Sequence, residues 1–272
     1  MGLNFREALS ALSRALPLVL FRAGIFVVGG FAAVIFFGML LLVLRPNGGA
    51  GPLVALLLAL PILLGGWASG RLLQRFFLFR HRAAMLYLFS EQRPAAPGLA
   101  GALQETERSI PDHGAWLALN HAIGRAFAGF PGDGSAAITV HPVTAEVLGQ
   151  AVLALAFSRG GTDFKHSIRE GLALFFCNGD ETRCLARRWL GFSVAGLTLL
   201  FLCLALPNWF LFSSVGAPVW IGMALAATIA WLLQQAFVFP FVLAGVSGAL
   251  LAATRGHTPD PDLVEKLATV LP

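Results

Sequence analysis

Three long stretches of this chain contain no Asp, Glu, Lys or Arg, and they restrict its fold more than any other feature. They cover residues 23–44, 46–70 and 189–254 of the 272. About 20 predominantly apolar residues cross the hydrocarbon core of a bilayer as a helix, so each stretch is long enough. A core helix of a soluble protein would carry a charged face, and these stretches carry none. The sequence therefore predicts an all-α integral membrane protein.

The composition agrees, since 57% of the residues are hydrophobic and only 12% are charged, against about a quarter in soluble proteins. The first apolar stretch is longer than the 7–15 apolar residues of a cleaved signal peptide, so we expect it to remain as a span. The cysteines Cys177, Cys184 and Cys203 lack the paired spacing of a zinc site, and we expect them to be reduced.

The positive charges predict the orientation of the spans. If the loops at 45–52 and 207–218 lie outside, all of the 19 Lys and Arg residues except Arg45 fall on the inner side, as the positive-inside rule requires. This predicts four spans in the cell inner (plasma) membrane, with both termini cytoplasmic. Basic residues at the span ends are predicted to bind anionic inner-leaflet lipids: Arg71, Arg75, Arg80, Arg82, Arg187 and Arg188. Nucleic-acid binding is not expected, because no exposed basic and aromatic stripe accompanies this charge.

The predicted layout has five parts. They are an interfacial amphipathic helix (1–16), transmembrane helices 1 and 2 with an inner extension (17–92), a cytoplasmic helical region (93–180), transmembrane helices 3 and 4 (181–254) and a cytoplasmic tail (255–272). Asn4 is predicted to cap the first helix, and Asp112 a helix of the cytoplasmic region.

Two pairs of similar segments predict an internal duplication. FREALSAL at 5–12 resembles IREGLALF at 168–175, and LLQRFFLF at 72–79 resembles LLQQAFVF at 232–239. Each pair brackets a span, a short loop and a second span, which predicts two parallel repeats related by an axis along the membrane normal. The alternative is a chance match between Leu- and Phe-rich spans.

The second copy ends at Pro240 instead of at charged residues, and apolar residues continue to Ala253. Residues 218–254 would make a helix of about 55 Å, against about 30 Å of hydrocarbon. We expect a helix kink at Pro240 that leaves the second part at the inner interface. A turn and a fifth crossing is the alternative, and it would break the repeat.

Glutamines provide much of the polarity predicted inside the spans, which are expected to hold no buried charge. Gln74, Gln234 and Gln235 are predicted either to bond neighbouring helices or to line a solute path. Trp67 and Trp231, with Trp220, either form an aromatic cage for a cation or act as interface anchors. Close helix contacts are predicted at glycines: Gly24, Gly29, Gly30, Gly66 and Gly70.

No recognised catalytic or nucleotide-binding motif occurs in the sequence. His113 and His121 are eight residues apart on one predicted helix, and no third ligand accompanies them. We expect no metal, no cofactor and no enzymatic activity.

Two stretches resemble the choline transporter-like family, specifically its short four-span prokaryotic relatives. The first runs from HRAAMLYLF through GRAFAGF (81–130), and the second is QQAFVFPFVLAGVSGALLAATRGHTPDPDLVEKL (234–267). They are similar to the family's inner segment and to its closing span, kink and tail. The resemblance implies a four-span fold. The choline transport of the long eukaryotic members is not carried over, because most of their transmembrane body has no counterpart here.

The leading functional hypothesis is a transporter-like or pore-like conduit for a small solute or lipid-like molecule, formed by a homo-oligomer. The alternative is a membrane scaffold or accessory subunit whose cytoplasmic helices dock a partner. A membrane-embedded lipid enzyme comes third and would need convergent His and carboxylate groups in a polar pocket.

Overall fold

The computed structural model describes residues 4–43, 79–90, 99–129, 142–159, 163–177, 179–214, 216 and 219–271. Each regular element in these ranges is a helix, which confirms the all-α prediction. The helices, in chain order, are α1 (Phe5–Arg14), α2 (Leu16–Val43), α3 (Phe79–Ser90), α4 (Leu99–Ser109), α5 (His113–Gly129), α6 (Pro142–Arg159), α7 (Phe164–Cys177), α8 (Gly179–Ser214), α9 (Val219–Leu233), a π-helical turn (Gln234–Val238), α10 (Phe239–Ala253) and α11 (Pro261–Val270).

Three segments of the described chain are long and apolar enough to cross a membrane: Leu16–Phe36, Cys184–Ser214 and Val219–Ala253. Only 24% and 17% of the residues in the first two are buried. Such exposure of apolar side chains suits a lipid environment and not water. The prediction of a membrane protein is therefore confirmed in this coarse form. The predicted second span, at 46–70, lies outside the described residues.

The chain forms two compact units. Unit 1 comprises Met1–Leu18, Phe77–Phe192 and Pro240–Pro272, and unit 2 comprises Val19–Phe76 and Ser193–Phe239. Within the described chain the boundaries fall inside α2 and α8 and after Phe239, the first residue of α10.

Unit 1 is built around α6, which packs against α3, α5 and α7. Residues 147–157 of α6 are buried on every side, as expected of a helix that is apolar all round. The predicted caps are confirmed, because Asn4 Oδ1 accepts a hydrogen bond from Glu7 N–H at 3.4 Å and Asp112 Oδ1 accepts one from Ala115 N–H at 2.7 Å.

Helix α1 has a small-residue face and a large apolar face. Ala8 and Ala11 are buried in unit 1, whereas Leu9 is 61% exposed. The predicted apolar face of α1 is thus exposed, as an interfacial helix requires. Phe5 is also partly exposed, and its ring packs edge-on against Trp189 with centroids 5.3 Å apart.

The C-terminal helix α11 packs on α7 and α5. Leu267 is fully buried, and Arg169 Nε donates to the Leu271 carbonyl at 2.9 Å. Arg159 donates to the His257 carbonyl at 3.3 Å and to Glu170 at 2.9 Å. These contacts fix the tail to unit 1.

Unit 2 contains close contacts between its helices. A Cβ atom built on Gly222 would lie 2.8 Å from the Phe212 ring, and those built on Gly29 and Gly30 would lie 3.9 and 3.8 Å from Leu232. The predicted glycine contacts hold at Gly29 and Gly30. Nothing in the described chain lies within 4 Å of the Gly24 Cβ position, so the contact predicted there stays a prediction. Gly66 and Gly70 lie outside the described residues.

The predicted loop at 207–218 is too long. Helix α8 continues through Pro207 to Ser214, and the Asn208 side chain donates to the Leu204 carbonyl at 2.8 Å. Pro207 removes one backbone donor, so the Cys203 carbonyl, four residues back, lacks its usual backbone donor, and a long membrane helix tolerates one such loss.

Candidate functional site

The last predicted span contains a π-helical turn in its middle. Residues 234–238 adopt this form, and the helix remains continuous from Val219 to Ala253. No turn therefore interrupts the described chain at Pro240. Pro240 lies in the second position of α10 and not in a break. A π-helical turn inside an α-helix is rare and is frequently found at functional sites.

Pro240 explains the hydrogen-bond register of this turn. The Phe239 N–H bonds to the Gln234 carbonyl, five residues back. In the same register the Gln235 carbonyl would accept from residue 240, but proline has no N–H. The carbonyl of Gln235 is thus the group that the proline deprives of a backbone donor.

Arg22 supplies that donor from α2. Its Nε donates to the Gln235 carbonyl at 3.1 Å, and its side chain is buried, with 7% exposed. The guanidinium carbon lies 5.4 Å from the centre of the Phe26 ring and 5.8 Å from that of Phe239. These distances allow cation–π attraction, which is stronger away from water.

Arg22 corrects the expectation that the spans hold no buried charge. The uncharged stretch begins at Ala23, so the sequence places Arg22, one residue earlier, at the inner surface. The structure places it in α2, six residues after the start of an apolar helix. That position in the sequence was the available signal.

Gln234 lies beside this arrangement and bonds to α8. Its Nε2 donates to the Ser193 carbonyl at 3.0 Å and to Ser193 Oγ at 2.5 Å. Its Oε1 is buried and accepts no hydrogen bond within the described chain. These bonds to Ser193 are of the predicted helix–helix kind and leave one buried acceptor over, while the predicted solute-path role of Gln234 stays a prediction. An unsatisfied amide oxygen in an apolar unit is energetically costly.

An apolar groove separates α2 from α9 and the π-helical turn. It encloses about 240 Å³ and has an almost entirely apolar lining. Its walls include Ala23, Phe26, Gly30 and Phe31 on one side and Leu232 and Ala236 on the other. Phe26 thus belongs both to the groove and to the surroundings of the Arg22 guanidinium.

The other predicted site residues are dispersed. Trp231 is 52% exposed, as an interface anchor or lipid-facing residue would be. Gln235 is half-buried and enters the site through its backbone carbonyl. Gln74, Trp67, Arg71 and Arg75 lie outside the described residues, so the predicted pairing of Gln74 with Gln234 stays a prediction.

The predicted lipid-anchoring arginines of unit 1 have different surroundings. Arg80 pairs with Glu107 at 3.1 Å and Arg82 with Glu146 at 3.4 Å. Burial lowers the pKa of Arg82, and the nearby Glu146 carboxylate opposes that shift. Arg187 and Arg188 are exposed, which suits the predicted lipid contact.

A second polar cluster lies in unit 1. His166 Nε2 and Arg159 both contact the Glu170 carboxylate, at 3.4 and 2.9 Å. Because Arg159 also holds the His257 carbonyl, this cluster attaches the tail. Within the described ranges no group of three His, Cys, Asp or Glu residues could hold a metal ion.

Comparisons with known protein families, curated proteins and solved structures give no match to this chain. The resemblance to the choline transporter-like family therefore stays a prediction. The structure itself places the chain among helical proteins with membrane-spanning segments.

Proposed function

We propose that this chain is a transporter-like membrane protein that forms a conduit for a lipid-like molecule and acts as a homo-oligomer. The observation that carries the proposal is the buried Arg22 at the π-helical turn. An ionisable residue inside a membrane-spanning segment is costly and most often marks a path or binding site. The apolar groove beside it favours a lipid-like molecule over a small polar solute.

Estimates of depth support a position inside the bilayer for the hydrogen bond between Arg22 and Gln235. Arg22 follows Leu16 by about 9 Å of helix, and Gln235 follows Val219 by about 24 Å. If these helices start at opposite interfaces, both estimates place the hydrogen bond about a quarter of the way into about 30 Å of hydrocarbon. This is within reach of headgroups for a long arginine side chain.

The segment lengths of unit 2 support the predicted four spans. Residues 193–214 and 219–239 correspond to about 33 and 32 Å of helix, which matches one crossing each. Residues 240–253 belong to unit 1 instead, in agreement with the proposal that they stay at the inner interface. The remaining span is proposed at 46–70.

The structure also agrees with two parallel repeats. The similar segments at 5–12 and 168–175 lie in α1 and α7, and each of these helices directly precedes a long apolar helix, α2 or α8. Both termini are proposed to be cytoplasmic, in the inner membrane.

Water access to Gln234 tests the conduit. In a variant with Cys177, Cys184 and Cys203 replaced by Ser, we would introduce Gln234→Cys and reconstitute the protein in liposomes. We expect a charged, membrane-impermeant thiol reagent to modify this cysteine. A cysteine at Ala230, one turn earlier and fully buried, is the matched control and should stay unmodified.

Two results would count against a conduit: protection of Gln234→Cys equal to that of Ala230→Cys, and a monomer as the only species in mild detergent. The homo-oligomer is expected because four spans offer little room for a path through a single chain.

A scaffold function is the second candidate, and the separate core of unit 1 favours it. Unit 1 buries α6 on every side and holds its own tail. Such a folded unit is able to present a constant surface to a partner. Purification of a stoichiometric soluble partner, with no lipid movement in liposomes, would favour this function.

A further inference from the structure

We propose that the groove between α2 and α9 binds one acyl chain of an anionic phospholipid, whose phosphate lies at Arg22. This inference rests on the proposed function, because it names the molecule that the conduit would carry. Its test measures binding alone, and binding does not require movement across the membrane.

The length of the groove fits one leaflet. Along α2 the lining runs from Ala23 to Val34, which is about 16 Å of helix. Half of the hydrocarbon core is about 15 Å. A groove of this length accommodates the acyl chain of one leaflet and stops near the bilayer midplane.

The composition of the lining fits an acyl chain. Its residues are Ala, Gly, Val, Ile, Leu and Phe, which offer no hydrogen bond to a polar solute. Gly30 lines the groove without a side chain, and a Cβ atom at this position would already contact a Leu232 methyl group at 3.8 Å. A larger side chain at this position would extend into the groove.

The charge at one end favours an anionic headgroup. Arg22 is not itself a lining residue, but its guanidinium carbon lies 5.4 Å from the centre of the Phe26 ring, which lines the groove, and its Nε is held by the Gln235 carbonyl. Phosphate oxygens are among the best acceptors for a guanidinium. The headgroup end of the groove therefore carries a positive charge at a set depth.

The charge of the whole unit has the same sign. The sequence ranges of unit 2 contain the arginines Arg22, Arg45, Arg71 and Arg75 and no Asp or Glu. This balance favours an anionic lipid over a zwitterionic one. The inner leaflet, where the proposed orientation places Arg22, is the leaflet that carries anionic lipid.

Native mass spectrometry of the intact protein tests the inference. The protein would be titrated with phosphatidylglycerol and with phosphatidylcholine of identical acyl chains, and the first bound lipid quantified. We expect a preference for phosphatidylglycerol that falls about tenfold in Arg22→Gln, the loss of one charged hydrogen bond. Arg22→Lys, which keeps the charge, should retain most of the preference. The matched control is Arg125→Gln, an exposed arginine of unit 1 that is not among the predicted lipid-binding residues.

The groove is tested separately. Gly30→Phe fills it, and Val34→Trp narrows its far end at a half-exposed position, so one variant remains if the other fails to fold. Both should weaken binding of the first lipid, whereas Val28→Phe, on an exposed position of α2 outside the groove lining, should not.

Three results would overturn the inference: equal binding of both lipids by the wild-type protein, a preference unchanged by Arg22→Gln, or affinities unchanged by both groove variants. Selective binding without any lipid movement in liposomes would reject the proposed conduit but keep the binding site. Lipid movement without selective binding would reject the binding site but keep the proposed conduit.

Discussion

The Nε of Arg22 donates a hydrogen bond to the backbone carbonyl of Gln235 at 3.1 Å, and Pro240 is the reason that this carbonyl needs a donor. The π-helical register connects Phe239 N–H to the Gln234 carbonyl, which leaves the next carbonyl opposite the proline nitrogen. A residue on α2 thus completes the hydrogen bonding of another span. The site thus combines a backbone carbonyl that lacks a backbone donor with one buried arginine.

This relationship predicts that Arg22 and Pro240 are energetically coupled. Arg22→Gln should lower the free energy of unfolding by about 2 kcal/mol in the wild-type background. Pro240→Ala restores an N–H at position 240. In this background Arg22→Gln should therefore lower the free energy of unfolding by about 1 kcal/mol less. Unfolding in mixed detergent and SDS, over the full double-mutant cycle, measures the difference. Additive effects would show that the proline does not create the need for Arg22.

Gln234 should tolerate an apolar residue better than a charged one. Gln234→Leu loses the bonds to Ser193 but also removes the unsatisfied Oε1, so we expect a change of less than about 1 kcal/mol. Gln234→Glu places a carboxylate in an apolar unit and should cost about 2–3 kcal/mol at neutral pH. The same unfolding assay compares the two, and a larger loss for Leu than for Glu would contradict this account of Gln234.

Gly245 should not accept a side chain. A Cβ atom at this position would overlap the Trp189 ring, whereas one at Gly248 meets nothing within 4 Å. Gly245→Ala should therefore cost about 1–3 kcal/mol through overpacking. Gly248→Ala, three residues later on α10, is the control and should cost less than about 0.5 kcal/mol. Equal thermal stabilities of the two variants would argue against the packing of α10 on Trp189.

The C-terminal helix should detach when its buried leucine is truncated. Leu267→Ala removes a fully buried side chain of α11 and should cost about 2–4 kcal/mol locally. Hydrogen exchange of residues 261–270 should then accelerate while that of α6 stays slow. Lys266→Ala, on the exposed side of α11, serves as the control. An unchanged exchange rate in Leu267→Ala would mean that α11 is held by other contacts, such as that between Arg169 and Leu271.

The sequence was sufficient for the helical class, the caps at Asn4 and Asp112 and the exposed apolar face of α1, because these depend on local patterns. Gln234 was recognised because an amide inside a span is conspicuous. The role of Arg22 could not be predicted, since it depends on a carbonyl more than 200 residues away. The π-helical turn likewise depends on the register of hydrogen bonds, which a pattern of apolar residues does not encode.

Lipid movement in liposomes tests the central claim most directly. Purified protein would be reconstituted with a trace of headgroup-labelled phosphatidylglycerol, and an impermeant quencher would report the label that reaches the outer leaflet. We predict rapid exchange between leaflets for the wild-type protein and for Arg125→Gln, and exchange about tenfold slower for Arg22→Gln, which weakens headgroup binding. Wild-type vesicles whose inner-leaflet label stays protected, as in protein-free vesicles, would contradict the account.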